Sequence, residues 1–384
     1  MNRIELFESI VGMHADAFFA DYWGKQPLFV RGAVPDVEGL IAPDDLAGLA
    51  CEIGASRLVG REEEAWFVEH GPFEEERFSE LGETDWTLLV QEVDRYDPAV
   101  GGLLDRFRCF PNWRLDDIMI SYAVPGGTVG AHVDQYDVFL IQAMGERRWE
   151  IGNTPLRNPA FVEGLELRIL QEFVPDVVYD VEPGDLLYLP PMFAHHGIAT
   201  SECLTISVGF RKPLVSDMVA SYLGEMLTRI DADRQLGHIL RAPVEAPGLL
   251  DFDTLESVRS VFRALCYDEQ SIDDWFGRFV TTPQRGEPEF AEAVSADELR
   301  EVLAAGGELR RTAISLSCYQ PAPGDSANLY VGGERYAIPT GTARLAELLT
   351  GALPINAETL DALVHNEGAI ALLASLVSRG MLET

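Results

Sequence analysis

The middle of the chain carries a β-type pattern of hydrophobic positions. Between Asp117 and Arg211, short runs rich in β-branched and aromatic residues are separated by glycine and proline turns. The predicted strands are Ile118–Ala123, Val138–Gln142, Arg148–Ile151, Phe173–Asp180, Asp185–Leu189 and Thr205–Phe210. Many short strands with regular turns are typical of a sandwich or jelly roll.

The segment before this β region mixes helical and strand patterns. Residues 1–30 predict two helices and an extended exit, with Pro27 ending the second helix because proline disfavours helical geometry in the residue before it. Between residues 35 and 112, the periodicity predicts helices at Pro43–Gly54, Thr87–Asp94 and Val100–Arg106 and a strand at Glu64–Val68.

The chain after Pro213 is predicted to be mainly helical. The helical patterns up to about Phe279 are Val215–Ile230, Arg234–Leu240, Leu255–Leu265 and Ile272–Phe279. From about Phe290, a further unit combines a hairpin at Leu329–Ile338 with helical patterns at Ala296–Ala305, Thr342–Thr350, Ala357–His365 and Gly368–Arg379. We therefore predict three units, residues 1–212, 213–289 and 290–384.

The last unit has the pattern of a winged helix, a fold that often binds DNA. Between Glu301 and Thr384 there are five Arg, no Lys and nine Asp or Glu. A net negative unit binds phosphate poorly, so we expect no DNA binding here.

Composition indicates a globular cytoplasmic protein with a strongly acidic surface. Hydrophobic residues make up 47% of the chain, and the net charge is -34. No stretch resembles a signal peptide or a membrane-spanning helix, and five cysteines without CxxC spacing argue against a disulfide framework. Such a charge repels nucleic acid and anionic membranes and attracts basic partners.

Two segments carry candidate metal ligands. His132 and Asp134 lie two positions apart, so on an extended segment both side chains project from the same face. His195 and His196 follow a strong predicted strand and a Pro-Pro pair. Neighbouring residues on an extended segment point in opposite directions, so one of these two histidines can join the pair, and spacing leaves the choice open. Two histidines and one carboxylate form the facial triad of non-haem Fe(II) oxygenases.

An open Fe(II) site needs a co-substrate that supplies electrons, and 2-oxoglutarate can do so while chelating the metal through its keto acid. Its distal carboxylate needs a buried cation, for which Arg147 and Arg148 are the candidates. Hydroxyl donors on neighbouring predicted strands are Ser121, Thr205 and Ser207.

Several stretches of the chain resemble the JmjC-type ribosomal oxygenases, the family of bacterial arginine hydroxylases that act on large-subunit ribosomal protein 16. The matching stretches are FFADYWGKQPLFVRG, SYAVPGGTVGAHVDQYDVFLIQ, GERRWEIG, PGDLLYLPP and SVGFRKP. The resemblance implies an α+β fold with a double-stranded β-helix (jelly-roll, cupin) core, a helical dimerisation region and a C-terminal winged helix without DNA binding.

The resemblance also implies roles for single residues. The iron ligands fall on His132, Asp134 and His195, the last by its distance from the Pro-Pro pair, and the arginine that binds 2-oxoglutarate falls on Arg147. The chain departs from the family pattern beside the third ligand, at Met192 and His196.

The implied reaction is hydroxylation of an unactivated C–H bond, the β carbon of a substrate arginine, with dioxygen consumed and succinate and carbon dioxide released. Candidates for contacts with a basic substrate are Asp116, Asp117, Gln135, Tyr136 and Asp137. The alternatives are a JmjC demethylase, a non-catalytic metal-binding cupin scaffold in ribosome assembly, and a small-molecule cupin isomerase or dioxygenase.

Overall fold

The structure is a computed structural model, and the chain divides into two compact units, Met1–Lys212 and Pro213–Thr384. The residues it describes are 2–63, 65–231, 233, 235–236, 248–266, 268–283, 293–312, 316–351 and 354–384. No helix among them is long and apolar enough to cross a membrane. The described cysteines whose side chains are placed, Cys51, Cys109, Cys203 and Cys318, are free thiols.

The first unit combines short helices with two antiparallel sheets. Its helices are α1 (Arg3–Val11), α2 (Ala15–Asp21), α3 (Pro43–Glu52), α4 (Glu75–Ser79), α5 (Val93–Tyr96) and α6 (Pro98–Gly102), with 3-10 turns at Leu103–Phe107 and Asn112–Arg114. Its strands are β1 (Leu28–Val30), β2 (Ser56–Glu62), β3 (Ala65–His70), β4 (Trp86–Val90), β5 (Leu115–Ala123), β6 (Val138–Met144), β7 (Arg147–Pro155), β8 (Val177–Val181), β9 (Leu186–Leu189), β10 (Phe193–Ala199) and β11 (Cys203–Phe210).

The strands form a large sheet of order β1-β9-β6-β11-β5-β4-β2-β3 and a small sheet of order β10-β7-β8. All pairings in both sheets are antiparallel, with Thr205 of β11 opposite both Ser121 of β5 and Gln142 of β6. From β6 to β11 the chain crosses between the two sheets four times, and β7 and β8 are the consecutive strands that share the small sheet. Repeated crossing between two sheets agrees with the jelly-roll prediction.

The central strands of the large sheet are buried on both faces. On β6, Phe139 and Ile141 pack into the core beneath the N-terminal helices, whereas Val138 and Leu140 pack against the small sheet. This division follows from the period of two along a strand, and it explains why VFLI in the sequence is continuously apolar instead of alternating.

An aromatic cluster joins the N-terminal helices to the large sheet. The ring of Phe18 on α2 lies 5.1 Å from that of Tyr188 on β9, and the ring of Phe7 on α1 lies 6.1 Å from that of Phe139 on β6. The hydroxyl of Tyr188 accepts from the Gly24 amide at 2.7 Å and donates to the Asp137 carboxylate at 2.6 Å. Burial is the main reason why the pKa of Asp137 is raised.

Most of the strand predictions in this unit are confirmed, and three predictions are wrong. Thr87–Asp94 was predicted to be a helix, but Trp86–Val90 is the strand β4, because it pairs with β2 on one side and β5 on the other. The strand predicted from Phe173 begins only at Val177. The helix α2 ends at Asp21, several residues before Pro27, and a turn fills the gap. The strands β2 and β10 were not predicted.

The second unit is helical with a small antiparallel sheet. Its helices are α7 (Val215–Thr228), α8 (Phe252–Cys266), α9 (Glu269–Thr281), α10 (Ala296–Ala304), α11 (Arg344–Thr350), α12 (Ala357–Leu360) and α13 (Glu367–Ser378), with a 3-10 turn at Asp361–His365. Its strands are β12 (Arg310–Arg311), β13 (Ser317–Ala322), β14 (Ser326–Val331), β15 (Glu334–Ile338) and β16 (Leu382–Glu383). The predicted helix Arg234–Leu240 falls largely outside the described residues.

The predicted hairpin is confirmed as β14 and β15. Gly332 and Gly333 connect the two strands with φ of 59° and 78°, and a two-residue turn with two positive φ angles strongly favours glycine. The helix α9 packs closely on this sheet, since a Cβ atom on Gly277 would lie 2.6 Å from the ring of Tyr330.

The Tyr188 hydroxyl gives a test of how the N-terminal helices are held. In the variant Tyr188→Phe, the buried Asp137 oxygen and the Gly24 amide both lose their partner, so we expect the free energy of unfolding to fall by about 2 kcal/mol. Urea unfolding followed by tryptophan fluorescence measures this, because five of the six tryptophans lie in the first unit. The control Tyr96→Phe removes a half-exposed hydroxyl and should change little. Equal midpoints for both variants would contradict the expectation.

Candidate metal centre

The two candidate ligand segments meet through their backbones. His132 lies between β5 and β6, and its amide donates to the carbonyl of His195 on β10 at 2.9 Å, while the His195 amide donates back at 3.0 Å. A further bond runs from the Met192 amide to the Asp134 carbonyl at 2.7 Å. This short antiparallel ladder places the side chains of His132, Asp134 and His195 together.

The ligand atoms of these three side chains lie within 4.8 Å of one another. The His195 Nε2 atom is 3.5 Å from an Asp134 carboxylate oxygen, and the centroids of the two imidazole rings are 4.2 Å apart. No fourth His, Cys, Asp or Glu among the described residues joins the group.

Both imidazoles are held in the same tautomer. The Nδ1 atom of His132 lies 2.9 Å from the Gly130 carbonyl, and that of His195 lies 2.9 Å from the Phe193 carbonyl. A carbonyl oxygen can only accept, so each Nδ1 carries the proton and each Nε2 keeps its lone pair for a cation. A divalent metal needs this arrangement, so the donor set fits it.

Electrostatics favours the protonation states that a metal needs. Burial, followed by the proximity of His195, lowers the pKa of His132 to about 4, so this imidazole is neutral at pH 7. For Asp134, burial acts to raise the pKa, but the neighbouring side chains of His195 and His132 outweigh it, and the pKa is lowered overall. A neutral imidazole and an ionised carboxylate therefore meet in this site, as a facial triad requires.

His196 points away from this group. Its Nδ1 atom lies 3.3 Å from the Glu150 carboxylate on the neighbouring strand β7, and its side chain is half-buried. The structure thus brings His195 to the pair and leaves His196 on the opposite face, because adjacent strand residues alternate. Met192, the other departure from the family pattern, has a φ of 69°, in the left-handed region that favours glycine.

The candidate cation beside the metal group is Arg147, at the start of β7. The residue is 6% exposed, and its guanidinium donates to the Ser121 hydroxyl at 3.4 Å. Its Nε atom is buried without a partner, and none of the described carboxylates lies within ion-pair distance of the guanidinium. A buried cation without a counter-ion is costly, so this pocket is suited to a carboxylate ligand. Arg148, in contrast, is exposed and pairs with Asp180.

The residues predicted to donate hydroxyl groups lie on two paired strands, β5 and β11. Ser121 on β5 is directly opposite Thr205 on β11, and Ser207 follows two positions later; all three are buried. The Thr205 hydroxyl donates to the Gln142 side chain at 3.0 Å, so Ser121 and Ser207 are better placed to donate to a ligand.

Two residues of this pocket were not predicted as site residues, Gln142 and Trp149. Gln142 is a polar side chain in an otherwise apolar strand, which was the available signal. The Trp149 ring lies 5.6 Å from the Arg147 guanidinium carbon and 5.9 Å from the His195 ring, so one indole lies near both the cation and the metal group.

The predicted substrate residues do not form one group. Tyr136 is 43% exposed, and the charge of the nearby Asp134 carboxylate is the main reason why its pKa is raised. Gln135 is exposed, and Asp116 is exposed and pairs with Arg211 at 2.9 Å. Asp137 does not suit the predicted role, since it is 2% exposed and bonds to Tyr188 in the core. Asp117, which is half-buried, accepts from the Glu92 amide.

Comparison with known proteins places this geometry in a family. The family model of the JmjC domain matches residues 102–218, and that of the ROXA-like winged helix matches residues 264–383. A protein from Escherichia coli strain K12 named ribosomal protein uL16 3-hydroxylase is 33% identical over 372 residues, covering 94% of this chain and 95% of that protein. This chain belongs to the JmjC ribosomal oxygenase family.

Solved structures agree with this assignment. An X-ray structure of E. coli YcfD has a TM-score of 0.87 and 30% identity, covering 97% of this chain and 98% of that one. The E. coli ribosomal oxygenase YcfD in complex with cobalt and 2-oxoglutarate has a TM-score of 0.83 and 31% identity, covering 96% and 97%. The predicted cupin core with a C-terminal winged helix is therefore confirmed. The winged-helix match begins before residue 290, and the predicted boundary between residues 289 and 290 lies outside the described residues.

The two adjacent histidines give a matched test of the metal group. We expect His195→Ala to weaken Co²⁺ binding by about 100-fold or more, because it removes one of three ligands, whereas His196→Ala should change it little. Titration of the metal-free protein, followed by Co²⁺ d–d absorbance, measures both affinities. Loss of binding in His196→Ala with binding retained in His195→Ala would contradict this ligand set.

Proposed function

We propose that this chain is an Fe(II)- and 2-oxoglutarate-dependent protein hydroxylase, with His132, Asp134 and His195 as metal ligands. The observation that carries the proposal is the proximity of this group to Arg147, a buried residue without a counter-ion among the described residues, with the Trp149 indole near both. The group of His132, Asp134 and His195 fits a ferrous ion with half its coordination sphere open. The Arg147 guanidinium fits the distal carboxylate of 2-oxoglutarate.

When bound, Fe(II) and 2-oxoglutarate activate dioxygen for insertion of one oxygen atom into a C–H bond. The protein's own part is to orient and to exclude water. The carbonyls of Gly130 and Phe193 hold the two imidazoles with Nε2 facing the site. Arg147 and Ser121 fix one end of the co-substrate, and the apolar contacts around Trp149 between the two sheets keep solvent out.

The proposed substrate is an arginine side chain of large-subunit ribosomal protein 16, hydroxylated at the β carbon. The E. coli relative carries the name of a uL16 3-hydroxylase, and that relative spans nearly the whole of this chain. The net charge of -34 favours a basic ribosomal partner through long-range attraction. Tyr136, Gln135 and Asp116 are exposed and can contact such a substrate. Action on this protein would place the enzyme in the cytoplasm.

The alternatives differ in what they release. A JmjC demethylase acting on a methylated side chain would release formaldehyde, and a non-catalytic scaffold would produce no succinate. A small-molecule cupin would turn over without a protein, and such sites are usually richer in histidine. The name of the E. coli relative favours hydroxylation.

The deciding experiment combines the purified protein with Fe(II), 2-oxoglutarate, ascorbate and ribosomal protein uL16 from the same organism. We expect one arginine to gain about 16 Da, the mass of one oxygen atom, with succinate formed in equal amount. The variant Asp134→Ala should abolish the gain, and Arg147→Met should require a much higher 2-oxoglutarate concentration for the same rate. An unmodified uL16 in the presence of active co-substrate turnover would overturn the assigned substrate, and formaldehyde release would favour the demethylase.

We further propose that the chain forms a homodimer and that its winged helix does not bind DNA. The net negative charge of the winged helix supports the lack of DNA binding, because it repels phosphate. The homodimer is supported by an apolar stripe on helix α7. Exposed side chains at four-residue spacing form this stripe: Val215, Val219, Leu223 and Leu227. These are 75%, 51%, 43% and 68% exposed, an apolar face about 18 Å long that a partner helix could cover.

Association through this stripe gives a prediction on the oligomeric state. The double variant Val219→Glu/Leu223→Glu places two charges in the stripe and should convert a dimer into a monomer, because burying unpaired charges is costly. Analytical ultracentrifugation at micromolar concentration measures the mass. The control Ala220→Glu/Gly224→Glu adds the same charges to exposed positions beside the stripe and should remain dimeric. A monomeric wild type, or a double variant that remains dimeric, would contradict the prediction.

A further inference from the structure

The segment that carries His132 is bonded on both of its edges. One edge is the ladder to His195. On the other edge, the Leu170 amide donates to the Ala131 carbonyl at 2.8 Å. Leu170 belongs to residues 156–171, which we call the strap and which form most of the connection between β7 and β8.

The strap is folded back on itself. Phe161 and Leu170 form an antiparallel bridge, with hydrogen bonds from the Val162 amide to the Ile169 carbonyl at 2.8 Å and from the Gln171 amide to the Ala160 carbonyl at 2.9 Å. The Gln171 side chain adds a bond to the Phe161 carbonyl at 2.9 Å. This connection is therefore an ordered hairpin that extends the short ladder around His132.

The Ile169 side chain of the strap packs closely against Gly130, whose carbonyl orients the metal ligand His132. Ile169 is 9% exposed, and three of its carbon atoms lie 2.9 to 3.1 Å from the position that a Cβ atom on Gly130 would take. The Gly130 carbonyl is the acceptor that holds Nδ1 of His132. Gly130 has a φ of 81°, so the chain both turns and admits Ile169 at this point. A continuous contact thus runs from Ile169 through Gly130 to the imidazole.

The far end of the strap is tied to the large sheet. The Glu166 carboxylate lies 2.6 Å from Nε2 of His70, at the end of the edge strand β3. The Arg168 guanidinium carbon lies 4.4 Å from the centroid of the Phe161 ring. The strap is therefore in contact with β3 through its Glu166 side chain and with the segment that carries His132 through its Leu170 amide.

We propose that the strap is a positioning element for the metal centre, in which Ile169 and Leu170 set the placement of His132 and the His70–Glu166 pair holds the strap in place. The proposal rests on the proposed function only in taking His132 as a metal ligand. Partners of a metal ligand that fix its orientation change metal affinity when they are removed, even though they do not touch the ion.

The test uses the metal-free full-length chain and Co²⁺ alone as the probe. Ile169→Ala should weaken Co²⁺ binding about 10-fold and change the d–d spectrum, because His132 loses its support. Val174→Ala, a truncation just beyond the strap at a side chain that is 85% exposed, should leave both unchanged. Ile10→Ala, a fully buried truncation on α1, should lower the melting temperature without weakening Co²⁺ binding.

A second measurement reads the strap without any metal. In Ile169→Ala and in the milder Glu166→Gln, the amides of Leu170 and His132 should exchange with solvent faster than in the wild type, while amides of β5 remain unchanged. If Ile169→Ala binds Co²⁺ as tightly as Ile10→Ala and exchange at His132 is unchanged, the strap has no positioning role. If Ile169→Ala does not fold, Ile169→Val and Glu166→Gln take its place in both measurements. A wild type that does not bind Co²⁺ refutes the proposed function, and the exchange experiment then still decides the role of the strap.

Discussion

The site depends on two backbone hydrogen bonds, those that His132 and His195 exchange. His132 lies in an irregular segment before β6, and His195 lies in a strand of the small sheet. Without this pairing, the two imidazoles would belong to different parts of the molecule. With it, residues far apart in sequence present three ligand atoms to one point, and the cost of ordering them is met by the folding of the β core and not by the ion alone.

The surrounding architecture keeps this point rigid. The large sheet is covered by the aromatic cluster of the N-terminal helices on one face and by the small sheet on the other. Asp137, three residues after Asp134, is anchored in that cluster by Tyr188. The ligand segment is thereby held at its exit by the core, on one edge by β10 and on the other by the strap. Precise placement matters because small displacements of a reacting group are costly in rate.

Charge is distributed in two opposite ways. The surface is strongly negative, which favours a basic protein partner, while the interior retains one guanidinium, Arg147, that the described residues leave without a carboxylate. A buried positive charge of this kind is unfavourable in the empty protein, and a bound dicarboxylate would neutralise it. The same chain can therefore attract a cationic substrate from outside and hold an anionic co-substrate within.

The sequence by itself determined the β-rich core, the helical regions after Pro213, the wing around Gly332 and Gly333, and the residue types of the site. These follow from local periodicity, turn chemistry and a facial-triad pattern, and resemblance to a family added the choice of His195 and Arg147. Only the tertiary structure separated residues that look alike locally. Thr87–Val90 is a strand because two neighbouring strands pair with it, whereas its apolar run is also compatible with a helix. Alternation along a strand is local, but which of two neighbouring positions faces inward is decided by long-range pairing. Arg148 and His196 therefore face away from the site, and Asp137 faces the core.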